Sequence, residues 1–334
     1  MKAIVLPDYN ANIIRAMKGL VVTDVKIPEP KGGQVLIKVL AAPCNPSDIA
    51  FMRGGYGIRK PVPVVMGFEC AGQVVETGND PRAKALLGKR VSCFSQGMGH
   101  GTWAEYFIGD HSDCLPLKDE VPVEQAAALC INPFTAFALV ELAKKRNTPG
   151  IIQNGASGQV GIFIRRLANL EKISVINIVR KDEHVSVLLD QNETYALSIT
   201  DPEFEAKLSH YARELNAVVA FDAVGGDTSG IILNAMPAGG ELVIYGGLSG
   251  KPVGMINALG IIFEGKKVSG FNLSDWKKEI GNDRFMEISN HLQGLIIDGM
   301  MMTRIQASFP LEEVQQAMEQ YIRNMSSGKI LFKP

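Results

Sequence analysis

The sequence predicts an α/β protein that combines a doubly wound parallel sheet with a second, β-rich domain. The first observation is that strand-like and helix-like segments alternate over residues 122–265, as in parallel sheets with crossover helices. The second is that residues 1–121 carry short β-like runs between Gly, Pro, Asn and Asp, with almost no helical pattern. The third is a return to mixed strand and helix over residues 266–334. We therefore expect one discontinuous β-rich domain, 1–121 with 266–334, and one contiguous α/β domain, 122–265.

The individual elements are short apolar runs bounded by turn-forming residues. In chain order they are the β-like runs Gln34–Leu40, Val64–Thr77 and Arg90–Phe94, a strand at Gly150–Asn154, a helix over Gly158–Leu170, and strands at Ser174–Val179, Ala217–Ala223 and Gly240–Gly246. Ligands of an open parallel sheet bind where the carboxyl ends of its strands meet. The loops after the central strands are therefore the first place to look for a site.

The composition favours a soluble globular protein and excludes several classes of function. Apolar residues make up 46% of the sequence and charged residues 21%. The net charge of −1 leaves no basic surplus to neutralise a phosphate backbone, so we expect no nucleic-acid partner. No apolar run reaches the roughly 18 residues of a membrane span, and the N-terminus has no secretory-signal pattern. We therefore expect no membrane partner either.

The cysteines indicate a reducing compartment. There are five, an odd number, scattered along the chain without a CxxC pair. This arrangement argues against both a disulfide framework and a thiolate metal site. We expect reduced structural thiols and a cytoplasmic location.

A glycine-rich turn lies at the first strand–helix junction of the central zone. It has the sequence Gln153–Gly161 (QNGASGQVG), and Ala156 takes the place of the first glycine in the GxGxxG pattern of dinucleotide-binding turns. Gly158 lets the backbone approach a pyrophosphate, and Gly161 allows close packing of the helix on the strand. The helix N-terminus adds free N–H groups and a positive dipole end. An ordinary glycine-containing turn is the alternative, but the position after a strand favours a dinucleotide cofactor.

The residues after the second central strand favour NADPH over NADH. NAD-binding sites have an acidic residue here, about 20 residues after the glycine turn, that binds the ribose 2′-hydroxyl. This sequence instead has Arg180 and Lys181. Arg180 offers a planar fork for a 2′-phosphate, and Lys181 adds positive charge. The alternative is that both are solvated surface cations, because Asp182 and Glu183 follow directly.

Short motifs spread over almost the whole chain carry a family resemblance. They are Asn45–Asp48 (NPSD), Gly55–Gly57 (GYG), Gly67–Glu69 (GFE), Gly101–Trp103 (GTW), Asn132–Ala136 (NPFTA), Gln153–Asn154 (QN), Asn177–Arg180 (NIVR), Tyr245–Gly247 (YGG) and Gly270–Lys278 (GFNLSDWKK). Together they resemble the medium-chain dehydrogenase/reductase superfamily. Within it the sequence is similar to the trans-2-enoyl-thioester (enoyl-CoA or enoyl-ACP) reductases, and the quinone oxidoreductases share the early motifs. The resemblance implies a Rossmann-type dinucleotide-binding domain and a β-rich, GroES-like catalytic domain.

The resemblance also implies an activity. The protein is expected to be an NADPH-dependent oxidoreductase that delivers a hydride to an activated C=C double bond, above all in a trans-2-enoyl thioester. Tyr56 matches the family's catalytic tyrosine and would donate a proton or a hydrogen bond, with a packing role as the alternative. Two other functions stay open, an NADPH:quinone oxidoreductase and a non-catalytic relative that only binds NADPH. Zinc-free relatives are commonly homodimers, and the apolar run 253–263 (VGMINALGIIF) lies where that contact would form.

A metal-free site is a further implication. Zinc-dependent members of the superfamily have a cysteine where this chain has Asn45 and a histidine where it has Phe68. An amide is a poor zinc ligand, and a phenyl ring cannot bind a metal. The five histidines form no HxH or HExxH spacing, so we expect no metal.

By the same resemblance, further residues are expected to contact the cofactor. Asn132 is expected in a loop that faces the nicotinamide, and Lys329 either reaches the cofactor or is an exposed terminal lysine. Asn272 stands where comparable enoyl reductases have a tryptophan, which would change the pocket wall. The full set of implied contacts is Asn132, Ser157, Gly158, Gln159, Val160, Gly161, Arg180, Lys181, Asp182, Tyr245, Gly246, Gly247, Leu248, Phe271, Asn272, Leu273 and Lys329.

Overall fold

The computed structural model describes residues 1–94, 96–97 and 99–334. These residues form two compact units, a discontinuous first unit, Met1–Phe134 with Ile280–Pro334, and a contiguous second unit, Thr135–Glu279. Both boundaries lie further along the chain than residues 121 and 265, where the sequence pattern changes. The second boundary is displaced because a strand at Lys267–Gly270 pairs with the parallel sheet of the second unit.

The elements of the described residues are numbered in chain order. The strands are β1 (Lys2–Leu6), β2 (Val21–Asp24), β3 (Gln34–Pro43), β4 (Val64–Val65), β5 (Glu69–Thr77), β6 (Arg90–Phe94), β7 (Tyr106–Asp110), β8 (Cys114–Pro116), β9 (Gly150–Gln153), β10 (Ser174–Val179), β11 (Tyr195–Ser198), β12 (Val219–Asp222), β13 (Glu241–Ile244), β14 (Lys267–Gly270), β15 (Ile305–Phe309) and β16 (Lys329–Phe332). The helices are α1 (Ile13–Lys18), α2 (Pro46–Met52), α3 (Pro81–Lys84), α4 (Val123–Ala127), α5 (Asn132–Lys145), α6 (Gln159–Leu170), α7 (Asp182–Asp190), α8 (Phe204–Glu214), α9 (Asp227–Ala235), α10 (Ala258–Glu264), α11 (Leu273–Ile297, interrupted at Gly281) and α12 (Val314–Arg323).

The first unit is built mainly on antiparallel strands. Its larger sheet has the order β15-β16-β3-β5-β6-β8, with β7 also paired to β3, and a smaller sheet has the order β2-β1-β4. The apolar faces of these strands enclose a core that includes Trp103, which is fully buried. The indole N–H of Trp103 donates to the Pro43 carbonyl at 3.0 Å, so the buried donor is satisfied.

The short helices α1, α2 and α3 lie in a zone where the sequence shows almost no helical pattern. Each has only four to seven residues, too few to display a 3.6-residue period. Local capping forms them instead. The side chain of Asn12 accepts from two backbone N–H groups at the start of α1, and Asp48 accepts from the backbone N–H of Asn45 at 2.7 Å at the start of α2. Helix α2 carries the carboxyl group of Asp48 into the core, where it is fully buried.

The second unit is a doubly wound parallel sheet in the order β11-β10-β9-β12-β13-β14, which confirms the predicted fold class. Gln153, at the end of β9, lies opposite Asn177 on β10 and Phe221 on β12. Ile152 and Ile176 are fully buried in its core. Because the strands are parallel, the loops after β9, β10, β12, β13 and β14 leave the sheet at the same edge.

The cysteines and the helices bear on the expectations of a reducing compartment and of no membrane partner. The five cysteine side chains are all buried thiols. Among the described residues, no helix combines the length and the apolar character that a membrane crossing requires.

Candidate functional site

Tyr56 lies in the loop between α2 and β4 of the first unit and is partly buried. Its ring packs against Phe68 with the ring centroids 5.3 Å apart. Its hydroxyl oxygen accepts a hydrogen bond from the side-chain amide of Gln96. Burial raises the pKa of the Tyr56 phenol, although the Gln96 hydrogen bond opposes that effect. The phenol is therefore protonated near neutral pH and can donate its own proton.

Aromatic rings and a buried lysine pack on and near Phe68, the residue that contacts the ring of Tyr56. Tyr9, Phe51 and Phe68 form a ladder of edge-to-face contacts with centroid distances of 5.4 and 5.3 Å. The ammonium of Lys60 lies 5.6 Å from the Phe68 ring centroid and donates to the Gly99 carbonyl at 2.7 Å. Burial lowers the pKa of Lys60 to about 8, and the Coulombic effect of Asp48 opposes this shift.

A fully buried group of polar side chains belongs to the same unit. It consists of Asn45, Asp48, Glu69 and Lys329 and is named here the acidic cluster. The Nδ2 of Asn45 donates to Glu69 Oε1 at 2.8 Å, and the backbone N–H of Ile131 donates to Glu69 Oε2 at 3.2 Å. Among the described residues, Asp48 Oδ1 has no hydrogen-bond partner. Burial raises the pKa of both Asp48 and Glu69 to about 7.

Lys329 is a member of this cluster and is not exposed. Its side chain is 4% exposed, and its Nζ donates to Asn45 Oδ1. The expectation of an exposed terminal lysine is therefore wrong, because β16 carries Lys329 into the core of the first unit. Burial lowers the pKa of Lys329, and the nearby carboxylate of Glu69 opposes the effect. A contact between Lys329 and the cofactor stays a prediction.

The residues at the zinc positions of the superfamily have other contacts here. Both side-chain atoms of the Asn45 amide are engaged, one by Lys329 and one by Glu69. Phe68 is buried between the rings of Phe51 and Tyr56. In the part of the chain that the structure describes, no three Cys, His, Asp or Glu side chains are grouped so that they could hold a metal ion.

The glycine turn of the second unit connects β9 to α6. Gly155 has φ of +61°, a conformation that suits glycine, and Gly158 is the N-cap of α6 without a side-chain cap. A Cβ on Gly161 would lie 2.8 Å from Ala156, so only glycine allows the helix to pack this closely. Ser157, Gly158, Gln159 and Val160 are partly exposed. The uncapped N–H groups of a 12-residue helix suit an anion such as a pyrophosphate.

The basic residues after β10 have different surroundings. Arg180 is exposed. Lys181 is paired with Glu183 at 3.0 Å. Asp182 begins α7 and accepts from the Thr200 hydroxyl at 2.8 Å. Arg180 is therefore the better placed of the two cations for a 2′-phosphate.

Other implied contacts follow β13 and β14 at the same edge of the sheet. Gly247 and Leu248 are exposed after Tyr245 and Gly246, and burial raises the pKa of Tyr245. Phe271 precedes α11, and its ring centroid lies 6.4 Å from that of Trp276. The side-chain oxygen of Asn272 accepts from the backbone N–H groups of Ser274 and Asp275 at 2.9 and 3.1 Å, so Asn272 caps α11, which begins at Leu273.

Asn132 begins a helix at a position where the sequence predicted a loop. It is the first residue of α5 in the first unit and is buried, so the expectation of a loop at this position is wrong. Sequence reasoning also assigned no role to Lys60, Gln96 or the members of the acidic cluster other than Lys329. The visible signals were a lysine four residues after the loop tyrosine and the motifs that contain Asn45, Asp48 and Glu69, but their contacts join residues far apart in the chain.

Comparisons with known proteins identify relatives of this chain by sequence and by structure. The alcohol dehydrogenase GroES-like domain matches residues 31–119. The mitochondrial enoyl-[acyl-carrier-protein] reductase of Mus musculus is 30% identical over 311 residues, which cover 92% of this chain and 82% of that protein. A solved structure from Mesorhizobium loti, provisionally described as an NADPH:quinone reductase, is 32% identical, covers 100% of this chain and 98% of its own, and has a TM-score of 0.92. The structure of an Etr1p/NADP/crotonyl-CoA complex shares the fold at 20% identity and a TM-score of 0.81, with coverage of 100% and 99%.

These likenesses define the chain as an oxidoreductase enzyme with a GroES-like β-rich part and a Rossmann-type sheet. It belongs to the zinc-free medium-chain dehydrogenase/reductases, in the group that includes enoyl-acyl-carrier-protein reductases and NADPH:quinone reductases. The resemblance inferred from the sequence motifs is thereby confirmed. At the level of this family the activity is NADPH-dependent reduction of an enoyl or a quinone substrate.

Proposed function

We propose that the protein uses NADPH to reduce the activated double bond of a trans-2-enoyl thioester, with Tyr56 as proton or hydrogen-bond donor. The environment of Tyr56 carries the proposal, because its oxygen accepts from Gln96 and its pKa is raised by burial. The hydroxyl proton is therefore left for a substrate atom. The 30% identity to an enoyl-acyl-carrier-protein reductase over most of the chain supports the substrate class.

The chemistry defines what the protein side chains must supply. NADPH, when bound, provides the hydride for the β carbon. Negative charge then develops on the thioester oxygen, which a hydrogen-bond donor stabilises, and the α carbon takes up a proton. A protonated phenol can serve either need. Phe51 and Phe68, buried behind Tyr56, keep water from one side of its ring.

The second unit is proposed to bind the cofactor through the glycine turn. Ser157, Gly158, Gln159, Val160 and Gly161 would surround the pyrophosphate, supported by the uncapped N-terminus of α6. The exposed guanidinium of Arg180 would bind the 2′-phosphate. The segments Tyr245–Leu248 and Phe271–Leu273, with Lys181, Asp182, Asn132 and Lys329, remain proposed contacts on the grounds of family resemblance.

The test is NADPH oxidation by the purified protein with crotonyl-CoA, simple enones and quinones as acceptors. We expect the highest kcat/KM with the enoyl thioester. Control reactions with NADH in place of NADPH should be slower. Turnover with quinones alone would overturn the proposed substrate class.

Quinone reduction is the second candidate function. The observation in its favour is the 32% identity, over the whole chain, to the Mesorhizobium loti protein described as a quinone reductase. A third possibility, a relative that binds NADPH without catalysis, predicts NADPH binding and no turnover with any acceptor in the same panel.

We also propose that the protein is a homodimer that pairs through the edge of its parallel sheet. In the segment 253–263 the side chains of Met255, Ile262 and Phe263 are 66%, 65% and 79% exposed. An exposed apolar patch of this kind marks an interaction surface. Light scattering should give twice the chain mass, and Phe263→Glu should give the monomer, whereas Leu170→Glu, at an exposed apolar position outside the segment, should not. A monomeric unmodified protein at micromolar concentration would contradict this proposal.

A cytoplasmic location is proposed on the basis of the buried thiols, which suit a reducing compartment. The relative from Mus musculus is mitochondrial by name. Fractionation of cells that make this protein, followed by immunodetection, distinguishes the two locations.

A further inference from the structure

A buried ion pair lies behind the glycine turn in the second unit. The guanidinium of Arg165, on α6, donates from Nε to Glu193 Oε1 at 3.1 Å and from Nη2 to Gln191 Oε1 at 3.1 Å. Its Nη1 donates to the carbonyl oxygen of Ala156 at 2.5 Å. The side chains of Arg165 and Glu193 are only 6% and 11% exposed. Since Ala156 belongs to the glycine turn, the ion pair holds the backbone of the turn directly.

The hydrogen bonds continue from Glu193 back to the turn. The second carboxylate oxygen, Oε2, accepts from Asn177 Nδ2 at 3.1 Å. Asn177 Oδ1 accepts from Gln153 Nε2 at 2.7 Å, and the same nitrogen donates to the Gly161 carbonyl at 3.1 Å. Arg165, Glu193, Asn177 and Gln153 are named here the clamp. The series of hydrogen bonds begins at the carbonyl of Ala156, within the turn, and ends at that of Gly161, its last residue, so it holds the turn at two points.

We propose that the clamp positions the glycine turn for a pyrophosphate, with Arg165 and Glu193 as positioning residues that do not touch the ligand. This inference rests on the NADPH binding proposed above. Backbone N–H groups attract a pyrophosphate, whereas carbonyl oxygens repel it. Arg165 and Gln153 bind the carbonyl oxygens of Ala156 and Gly161 within the protein interior. The N–H groups of Ala156 and Gly158 also donate within the protein, to the carbonyls of Ile178 and Gly155, so the anion is expected at the N-terminus of α6, which has no side-chain cap.

The composition of α6 supports a positioning role. The other buried side chains of this helix include Phe163, Ile164 and Leu167, which pack without polar partners. An apolar residue in place of Arg165 would avoid the cost of desolvating a charge, and a buried ion pair returns little net stability. The selective value of the pair therefore lies in the geometry that its directed hydrogen bonds impose on Ala156.

The experiment compares two ligands that differ in the pyrophosphate. Calorimetric titration measures the Kd of NADPH and of adenosine 2′-monophosphate, which carries the 2′-phosphate but no pyrophosphate. We expect Arg165→Met to raise the Kd of NADPH about 10-fold, the scale of a lost charge-assisted hydrogen bond, and to leave the Kd of adenosine 2′-monophosphate unchanged. Glu193→Gln, which keeps one acceptor oxygen, should raise the Kd of NADPH by a smaller factor. The matched control is Arg166→Met at the exposed neighbouring position on α6, which should change neither Kd.

Steady-state kinetics add a second measurement. The KM for NADPH should rise in Arg165→Met while kcat at saturating NADPH stays within about twofold, because uniform binding is lost and not transition-state stabilisation. Equal weakening of both ligands, together with a lower Tm, would show a merely structural role and overturn the proposal. NADPH binding by Arg165→Met that equals that of the unmodified protein would overturn it as well.

Two further outcomes complete the design. If Arg165→Met does not fold, Arg165→Lys and Glu193→Gln carry the same test, because each keeps part of the network and should show the same selective loss of NADPH affinity. An unmodified protein that binds NADPH, with a Kd that Arg165→Met, Arg165→Lys and Glu193→Gln all leave unchanged, would overturn the clamp proposal alone. An unmodified protein that does not bind NADPH would overturn the proposed function and the clamp with it.

Discussion

Each of the two units buries a group of charged and polar side chains, and the two groups differ in how their charges are matched. In the acidic cluster of the first unit, the carboxyl groups of Asp48 and Glu69 both lie near the ammonium of Lys329, and Asp48 also interacts with that of Lys60. In the clamp of the second unit, one guanidinium and one carboxylate meet at 3.1 Å. Every oxygen of Glu193 accepts a hydrogen bond there, whereas Asp48 Oδ1 has no partner among the described residues.

The difference in charge matching determines which role each group is suited to. Burial alone favours the neutral form of a carboxyl group, and a matched cation at hydrogen-bond distance reverses that preference. In the acidic cluster, burial outweighs the effect of the nearby ammonium groups on both acids, so the pKa of each lies at about 7 and its protonation changes near neutral pH. In the clamp, the guanidinium of Arg165 and the carboxylate of Glu193 match each other at hydrogen-bond distance. The first group is therefore suited to exchange protons and the second to hold backbone geometry.

Tyr56→Phe should have the largest effect, because it removes the proposed proton donor, which lies in the same unit as the acidic cluster. We expect the single-turnover rate with crotonyl-CoA to fall about 100-fold, the low end of general-acid contributions, since water can partly replace a lost phenol. The Kd of NADPH should stay unchanged, because the glycine turn lies in the other unit. Tyr106→Phe, on β7 of the same unit, serves as a control for the loss of a phenol. An unchanged hydride-transfer rate would make Tyr56 a packing residue and leave substrate positioning by the Asn132 segment as the main catalytic device.

Arg180→Ala tests the cofactor preference of the second unit. The exposed guanidinium should contribute about 1.5–3 kcal/mol to binding of the 2′-phosphate, so its loss should shrink the difference in Kd between NADPH and NADH by about 10- to 100-fold. Lys181→Ala should have less effect, because Lys181 is already paired with Glu183 at 3.0 Å. Equal binding of NADPH and NADH by the unmodified protein would refute the role of Arg180.

The sequence allowed the fold class and the position of the glycine turn to be predicted, because both depend on local pattern. Alternating apolar strands and a glycine turn after β9 are visible within about 30 residues. The acidic cluster was not predictable in the same way. The hydrogen bond from Lys329 to Asn45 joins residues 284 positions apart, and a terminal lysine is usually exposed.

The clamp shows an intermediate case. Gln153 and Asn177 are polar residues within apolar strands, which is a visible signal that a buried partner exists. Their partner Glu193 and its ion pair with Arg165 depend on how α6 packs on the sheet, and no spacing in the sequence indicates that. The glycine turn could therefore be predicted from the sequence, but the buried ion pair that holds it could not.

Asp48→Asn should have the smallest effect. It tests whether the acidic cluster makes the free energy of unfolding depend on pH. The pKa of Asp48 is raised from 3.8 to about 7 on folding, so the folded state binds more protons than the unfolded state between these values. The stabilising contribution is complete below the unfolded pKa and is lost as the pH rises through the folded pKa. The free energy of unfolding should therefore fall by up to about 1.4 kcal/mol for each pH unit in that window, for this one group.

Urea unfolding at about pH 5 and about pH 7 measures how the free energy of unfolding depends on pH. Asp48→Asn should reduce this slope by up to about 1.4 kcal/mol for each pH unit, the contribution of one proton. Glu69 titrates in the same range for the same reason, so part of the slope should remain. Asp80→Asn is the matched control. The pKa of Asp80, a partly exposed carboxyl that accepts hydrogen bonds from Arg82, is lowered to about 2, and its stabilising effect is lost only as the pH falls toward that value. Its removal should leave the slope between pH 5 and 7 unchanged. A slope that Asp48→Asn does not change would mean that Asp48 does not change its protonation in this range, and the contrast between the two units would then be one of position alone.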